Sequence, residues 1–393
     1  MVKRLKIALI YNYNESWIGG TYYIVNIIRL LNNLSFYQKP IVYLIFDNDK
    51  ELELIKSINY PYLKLKSKYI DLYSLKGLNE LTFFEKVVNK FSSKIFNKHL
   101  FTSKSWVKQI DVLFPSDFDP IYDQVRNKVF WIPDFQNKYL KDFFDEIELR
   151  EREVWCEKIS NQKHLFLSSF SSFNDFEKFY PNKTIQKYVY SFVSIQPDFN
   201  LLGLDELKNK YKIGNSRFFF VANQFWQHKN HINVLKAINY LKQKSLLNFD
   251  VYFSGKQSDY RNKNYFNDIL SYVHDYNLTD NVFFLGFIDR NDQLSFMKHS
   301  ISVIQPSLFE GWSTVIEDAK MLNKIVVCSN INVHKEQLKN QAYYFDPYDY
   351  VNLAEHLQKL NLNSEIEIDY NYLKSINQTS KQLFKTLAEI SRG

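Results

Sequence analysis

Cysteine is nearly absent: Cys156 and Cys328 are the two thiols in 393 residues. Two distant thiols build neither a disulfide scaffold nor a metal-binding pattern, and a reducing compartment is the simpler setting for them. Long apolar runs are also missing. No stretch reaches the roughly 20 residues that a membrane-spanning helix needs. The apolar run behind the basic start MVKRLK is too short for a secretory leader, so a cytoplasmic protein is expected. The net charge of +7 is small for this length; it gives no footing for a nucleic-acid partner, and none is expected. Aromatic residues make up 17% of the chain, but Lys, Asn, Ile, Phe and Tyr are abundant together, as an A/T-rich coding sequence would produce, so this wealth is assigned no role. Apolar and charged content are ordinary for a globular protein, and the length allows two to three domains.

Glycine is scarce, with nine in all, and so its positions are informative. Gly19, Gly20, Gly255, Gly286 and Gly311 fall in predicted loops beside strands or helices. The chain opens with an apolar run, Lys6 to Tyr11, read as a buried strand. A polar loop, the pair Gly19-Gly20 with Thr21, and an apolar-periodic helix from about Tyr22 to Leu34 follow. A strand, a Gly-containing turn and a helix begin a doubly wound α/β domain. The spelling is not GxGxxG, so a dinucleotide fingerprint is not implied. Further predicted strands are Ile41–Phe46, Val112–Pro115, Val129–Pro133 and Leu165–Ser169. The pattern restarts at Arg217–Val221, with Phe249–Ser254, Val282–Ile288, Ile325–Cys328 and Ala342–Pro347 behind it.

The most informative stretch is 301–320, ISVIQPSLFEGWSTVIEDAK. Ile301–Ile304 reads as a strand, which Pro306 ends because it cannot donate to a ladder. Gly311 permits either an unusual backbone angle or a close approach. Thr314-x-x-Glu317 reads as a capping box opening a helix. Strand, loop and helix N-terminus in that order put unpaired N–H groups and a partial positive charge at the loop mouth, suited to a diphosphate. Glu310 has no capping duty there. It is either a solvated loop charge or a functional carboxylate.

This segment resembles the paired-glutamate motif of retaining GT-B glycosyltransferases, glycosyltransferase family 4. That family places seven residues between its glutamates; Glu310 and Glu317 have six between them, with Gly311-Trp312-Ser313-Thr314 in place of a more usual Gly-Phe-Gly-Leu-Pro. The resemblance implies two Rossmann-like α/β domains facing across a cleft. It implies that Glu310 faces the donor sugar and Glu317 the nucleotide ribose, with Gly311, Trp312, Ser313 and Thr314 lying against sugar and diphosphate. Ala222 to His231 resembles the family loop in which an Arg and a Lys neutralise the diphosphate. Lys229 matches the Lys, and Gln224 stands where the Arg often sits. Gly255 and the backbone at Phe287 would complete the donor site. On the acceptor side the resemblance marks Gly19, Gly20, Thr21 and the stretch Ile132-Pro133-Asp134-Phe135-Gln136-Asn137. Asp134 and Asn137 would face the cleft there, with Asn137 where close relatives carry His.

The implied boundaries are an acceptor-side domain over 1–195, a nucleotide-sugar domain over 196–375, and a helix over 376–393 crossing back to the first. The implied reaction moves a sugar, with retention, from a nucleotide-diphosphate sugar to a glycan or lipid-linked glycan, as in bacterial surface polysaccharide synthesis, without metal or other cofactor. Residues 83–100 form a separate feature. Phe84, Val87, Val88, Phe91 and Ile95 make an apolar stripe beside Lys86, Lys90, Lys94 and Lys98. Such a helix either lies on an anionic membrane at the inner face or covers a core edge with its lysines reaching to water.

Other classes share parts of this pattern. A GT-B-shaped sugar-nucleotide epimerase or hydrolase would use the same diphosphate pocket without an acceptor. A nucleotide-sugar-binding module would keep the pocket without turnover. A metal-dependent enzyme would need Asp-x-Asp, which Asp47-x-Asp49 and Asp117-x-Asp119 spell, away from the donor motif. His228 and His231 lack a third nearby ligand for a metal.

Overall fold

The computed structural model describes residues 4–14, 18–47, 49, 52–68, 83–96, 106–195, 200–362 and 368–393. Residues 15–17 of the first loop, 196–199 of the expected linker, and 97–100 with Lys98 lie outside the described residues.

The chain folds into two halves, each built on parallel strands. In the first, β1 (Lys6–Tyr11), β2 (Ile41–Phe46), β3 (Leu63–Ser67) and β4 (Val112–Phe114) run in the order β3-β2-β1-β4. A bridge between Leu113 and Lys128 joins them to β5 (Val129–Ile132), β6 (His164–Leu167) and β7 (Gln186–Val189). In the second half, β8 (Phe218–Ala222), β9 (Asp250–Ser254), β10 (Val282–Phe284), β11 (Val303–Gln305), β12 (Val326–Ser329) and β13 (Tyr343–Phe345) form one sheet ordered β10-β9-β8-β11-β12-β13. Central strands such as Phe218–Ala222 are buried throughout, because helices cover both faces of a parallel sheet. Strand order reverses between β1 and β4 and again between β8 and β11. Loops leaving the carboxyl ends of strands at such switch points line a crevice, and here the two crevices face each other.

The halves are tied together at several points. Trp312, from the second half, packs against the core of the first and donates Nε1–H to the Phe192 carbonyl at 2.9 Å. Gly311 lies so close to Pro133 that a Cβ would stand 2.3 Å from its carbonyl oxygen. Both oxygens of Glu336 accept the N–H groups of Phe170 and Ser171 at 2.9 and 3.1 Å, capping the helix Phe170–Phe179. The last helix, Tyr372–Arg392, inserts Leu383, Leu387 and Ile390 into the core of the first half.

Local differences from the sequence reading have physical causes. The first helix runs Ile18–Asn32, so Gly19-Gly20 sits in its first turn rather than in a turn before it. Thr21 holds that turn against the loop, its Oγ1 accepting from the Asn14 N–H at 3.1 Å. Strands β3 and β7 have no continuous apolar run because they are edge strands, only partly buried. The helix Phe83–Phe96 turns Asn89 and Ser92 inward, while Phe83, Phe84 and Phe91 stand 85%, 71% and 64% exposed. Phe83, Phe84 and Phe91 therefore face solvent, while Val87 and Val88 of the stripe are half-buried.

Candidate active site

A cavity of about 780 Å³ lies between the two halves. Gly19, Gly20 and Asp134 line it from the first half, and Gln224, Lys229, Gly255 and Phe287 from the second. Glu310, Gly311, Trp312 and Thr314 complete the wall at the end of β11.

Glu310 follows the buried strand β11 and Pro306, which direct its loop to the cleft. Its Oε1 accepts from Lys229 Nζ at 2.6 Å, Ser307 Oγ at 2.6 Å and Gln305 Nε2 at 2.8 Å. Oε2 has no hydrogen bond among the described residues. Burial pushes the Glu310 carboxyl up, but Lys229 and the Ser307 hydroxyl outweigh it and hold the group below the usual carboxylate range. Lys229 ends a short turn, Gln227–Lys229, just after β8. The two residues assigned separate duties in sequence are thus one ion pair. Behind them His334 is fully buried; burial lowers it to about 4, with Glu310 opposing, so it is neutral.

The glycines divide by cause. Gly255 has φ +150°, and a Cβ there would stand 2.2 Å from the Asn223 carbonyl oxygen, so the β8 and β9 loops meet only without a side chain. At Gly311 the neighbour is the first half's Pro133, so this glycine is required for the two halves to meet.

The helix expected to open at a Thr314 capping box opens one residue earlier. Ser313 is the N-cap, its side chain accepting from the Ile316 N–H. Gln337 brackets Ser313, accepting its N–H and donating to its carbonyl, both at 3.0 Å. Thr314 becomes the first helical residue, and its N-terminal position faces the cavity. Glu317 does not cap. It is fully buried and accepts from Lys320 at 2.9 Å, Gln337 at 3.0 Å and Tyr372 OH at 2.9 Å. One turn into the helix, its side chain projects away from the cleft and joins the last helix to the second half. Asp318, the next residue, lines the cavity instead. Seven residues separate it from Glu310, the family spacing, which an acid other than glutamate fills here. Asp318 Oδ1 accepts from Arg290 Nη2 at 2.5 Å, and its buried Oδ2 has no partner among the described residues. Burial works against the Arg290 charge, and Asp318 more than offsets it.

On the other wall, Gln136 lines the cavity and Asn137 does not; Asn137 is buried in the short helix Gln136–Tyr139. Thr21 and Ser313 likewise lie behind the lining. His231 stacks on Phe225 at 4.3 Å and is fully buried. Burial and the charges of Lys229 and Arg261 hold His228 well below its ordinary value. Asp117 and Asp119 serve a turn, accepting the N–H groups of Asp119 and Ile121 at 2.9 and 3.1 Å. Among the described residues no three His, Cys, Asp or Glu side chains gather as a metal site.

Residues 205–379 match the family model of glycosyl transferases group 1. The chain is similar to the capsular polysaccharide biosynthesis glycosyltransferase CapH of Staphylococcus aureus, 25% identical over 347 residues, covering 84% of this chain and 81% of that protein. A shorter match, 28% identical over 127 residues, covers 32% of this chain and 31% of the Escherichia coli UDP-Gal:alpha-D-GlcNAc-diphosphoundecaprenol alpha-1,3-galactosyltransferase. Anabaena Alr3699/HepE, solved in complex with UDP and glucose, superposes with a TM-score of 0.66 over 98% of this chain and 100% of that one, at 14% identity. The architecture is GT-B.

Proposed function

We propose that this protein is a retaining glycosyltransferase. It moves a sugar from a nucleotide-diphosphate sugar to a glycan or lipid-linked glycan in the synthesis of a bacterial surface polysaccharide. The observation that carries the reading is the Lys229–Glu310 pair at 2.6 Å, set beside the N-terminus of the helix Thr314–Met321 at the bottom of the interdomain cleft.

In this reading the donor diphosphate lies against the N–H groups at the start of that helix, whose dipole favours an anion. Lys229 supplies a mobile point charge. It moves from Glu310 toward the leaving phosphate as the glycosidic bond breaks, so its contribution grows in the transition state. Glu310 then faces the sugar with its unoccupied Oε2. The buried, unpartnered Oδ2 of Asp318 needs a hydrogen-bond donor, and a ribose hydroxyl supplies one. That moves the ribose contact from Glu317 to Asp318. The backbone at Phe287 and Ile288 borders the base. No protein nucleophile is required: the departing phosphate oxygen takes the acceptor proton on the face it leaves, which gives retention. UDP-sugars are the first donors to test, because the Anabaena neighbour holds UDP.

Thermal shift against a panel of nucleotide-sugars, followed by transfer assays in EDTA with the product anomer read by NMR, tests the proposal. Expected are a shift by a nucleoside diphosphate and its sugar, turnover unaffected by EDTA, and the donor's anomeric configuration in the product. Donor consumption that ignores every acceptor would favour the epimerase or hydrolase instead.

The exposed aromatic face of Phe83–Phe96 supports a second element of the proposal, docking on the cytoplasmic membrane. Lys86, Lys90 and Lys94 are exposed beside Phe83, Phe84 and Phe91. Basic residues flanking apolar side chains suit an anionic lipid surface.

A further inference from the structure

We propose that Arg152 and Arg261 form a second anion-binding subsite in the cleft, which takes the phosphate of an acceptor joined to its carrier through a diphosphate. The proposal rests on the glycosyltransfer reading and names the acceptor's chemistry. The two guanidiniums come from opposite halves. Arg152 lies on the helix Glu146–Ser160 of the first half, and Arg261 follows β9 in the second. Both line the cavity.

Both turn to a single carboxylate. Glu148 Oε1 accepts from Arg152 Nε at 3.1 Å and from Arg261 Nη2 at 3.1 Å, and Glu148 Oε2 accepts from Arg261 Nε at 3.2 Å. Among the described residues Glu148 is the carboxylate that bonds both guanidiniums, while that of Asp259 accepts the Gln227 and Arg261 N–H groups at 2.9 and 3.0 Å. Arg261 is fixed further by Gln136, whose Oε1 accepts from its Nη1 at 3.1 Å. Arg152 is committed less. It bonds Glu148 through Nε, and among the described residues its Nη1 and Nη2 have no partner. Those two nitrogens form the planar fork that receives two phosphate oxygens side by side.

The surroundings fit an anion carried on a sugar. Phe144 lies against both guanidiniums, its ring centre 4.9 Å from Arg152 and 3.9 Å from Arg261. Trp226 and Tyr260 also line the cavity, their ring centres 5.6 and 5.0 Å from the Arg261 guanidinium, giving flat apolar faces against which a sugar ring stacks. The donor diphosphate does not explain these arginines. Its seat is at the helix Thr314–Met321 in the second half, where Lys229 already stands, whereas Arg152 reaches in from the first half. The acid on that wall, Asp134, lies beside Gly311 and has its Oδ1 bonded to the Gln136 N–H at 3.0 Å. It therefore belongs to the sugar end and does not cancel the Arg152 charge.

The test is titration calorimetry on full-length protein saturated with UDP, using decyl diphosphate as probe and decyl glucoside as its neutral counterpart. Wild type should bind decyl diphosphate at least tenfold more tightly than the glucoside. Arg152→Gln should lose that preference while its UDP affinity stays within twofold, and Arg152→Lys should restore only part. Arg152 is partly exposed, so folding is not at risk, and an unchanged melting temperature checks it. Equal affinity for the two probes, or an Arg152→Gln variant that binds decyl diphosphate like wild type, overturns the subsite. Failure to bind UDP at all would instead overturn the nucleotide-sugar reading on which it rests.

Discussion

Replacing Lys229 with Ala tests the site at its centre, because it strands a carboxylate. In the wild type Glu310 is nearly buried and its charge is balanced by Lys229 at 2.6 Å. Without Lys229, the Ser307 and Gln305 hydrogen bonds remain, but they carry no charge. Breaking a buried ion pair from one side costs about 3–5 kcal/mol; the two surviving bonds place this case at the low end, about 3 kcal/mol. For an unfolding unit of 150–250 residues that corresponds to a melting temperature lower by roughly 6–12 °C. The cost should depend on pH. In the wild type the folded Glu310 pKa is depressed, so its stabilisation is present above the unfolded value and fades as pH falls through the folded one. In Lys229→Ala the Lys229 charge no longer opposes burial, which raises the Glu310 pKa against the remaining Ser307 hydrogen bond. The variant then gains stability relative to wild type as pH falls from 7.5 toward 4.5, because a neutral carboxyl is cheaper to bury. Adding Glu310→Gln to Lys229→Ala should restore most of the stability and none of the turnover. Chemical denaturation of the four proteins of this cycle across that pH range is the assay. A stability deficit in Lys229→Ala that stays constant from pH 4.5 to 7.5, or a double variant no more stable than the single one, would refute the buried-pair account.

Glu317 and Asp318 should separate cleanly. Glu317→Ala removes the acceptor of three donors and should cost about 2–4 kcal/mol in denaturation with donor affinity unchanged. Asp318→Asn should weaken nucleotide binding roughly 10–100-fold by calorimetry, the worth of about 1.5–3 kcal/mol for a charge-assisted hydrogen bond. The reverse assignment of losses would return the ribose contact to Glu317. Gly311→Ala forces a Cβ to 2.3 Å from Pro133, so X-ray scattering should show a larger radius of gyration and assays at least a tenfold loss of turnover; unchanged scattering would mean that the two halves tolerate the methyl. Changing Phe83, Phe84 and Phe91 together to Ser should abolish binding to anionic vesicles and leave soluble-substrate turnover alone. Changing Lys86, Lys90, Lys94 and Lys98 to Gln should weaken that binding by about 1 kcal/mol per Lys. Wild-type protein that ignores such vesicles at low salt ends the membrane proposal.

The strands that position the site were legible because they lie at the centres of parallel sheets. β1, β2, β8 and β9 are buried on both faces, so each is an apolar run that a linear reading detects. Edge strands β3 and β7 carry Lys and Gln and gave no such run. The Pro306 stop, the loop at Glu310 and a helix beginning near residue 314 were also local matters, set by proline geometry and capping. Tertiary structure decided which of two adjacent acids faces the cleft. A helix turns about 100° per residue, so Glu317 and Asp318 point to different neighbours, and only the placement of Gln337, Tyr372 and Arg290 shows which is structural. It also joined residues far apart in the chain. Lys229 with Glu310, Arg261 with Glu148, and Gly311 with Pro133 are contacts between segments dozens of residues apart. Composition and spacing name such residues singly; distance in space, fixed by the packing of the two halves, makes them pairs.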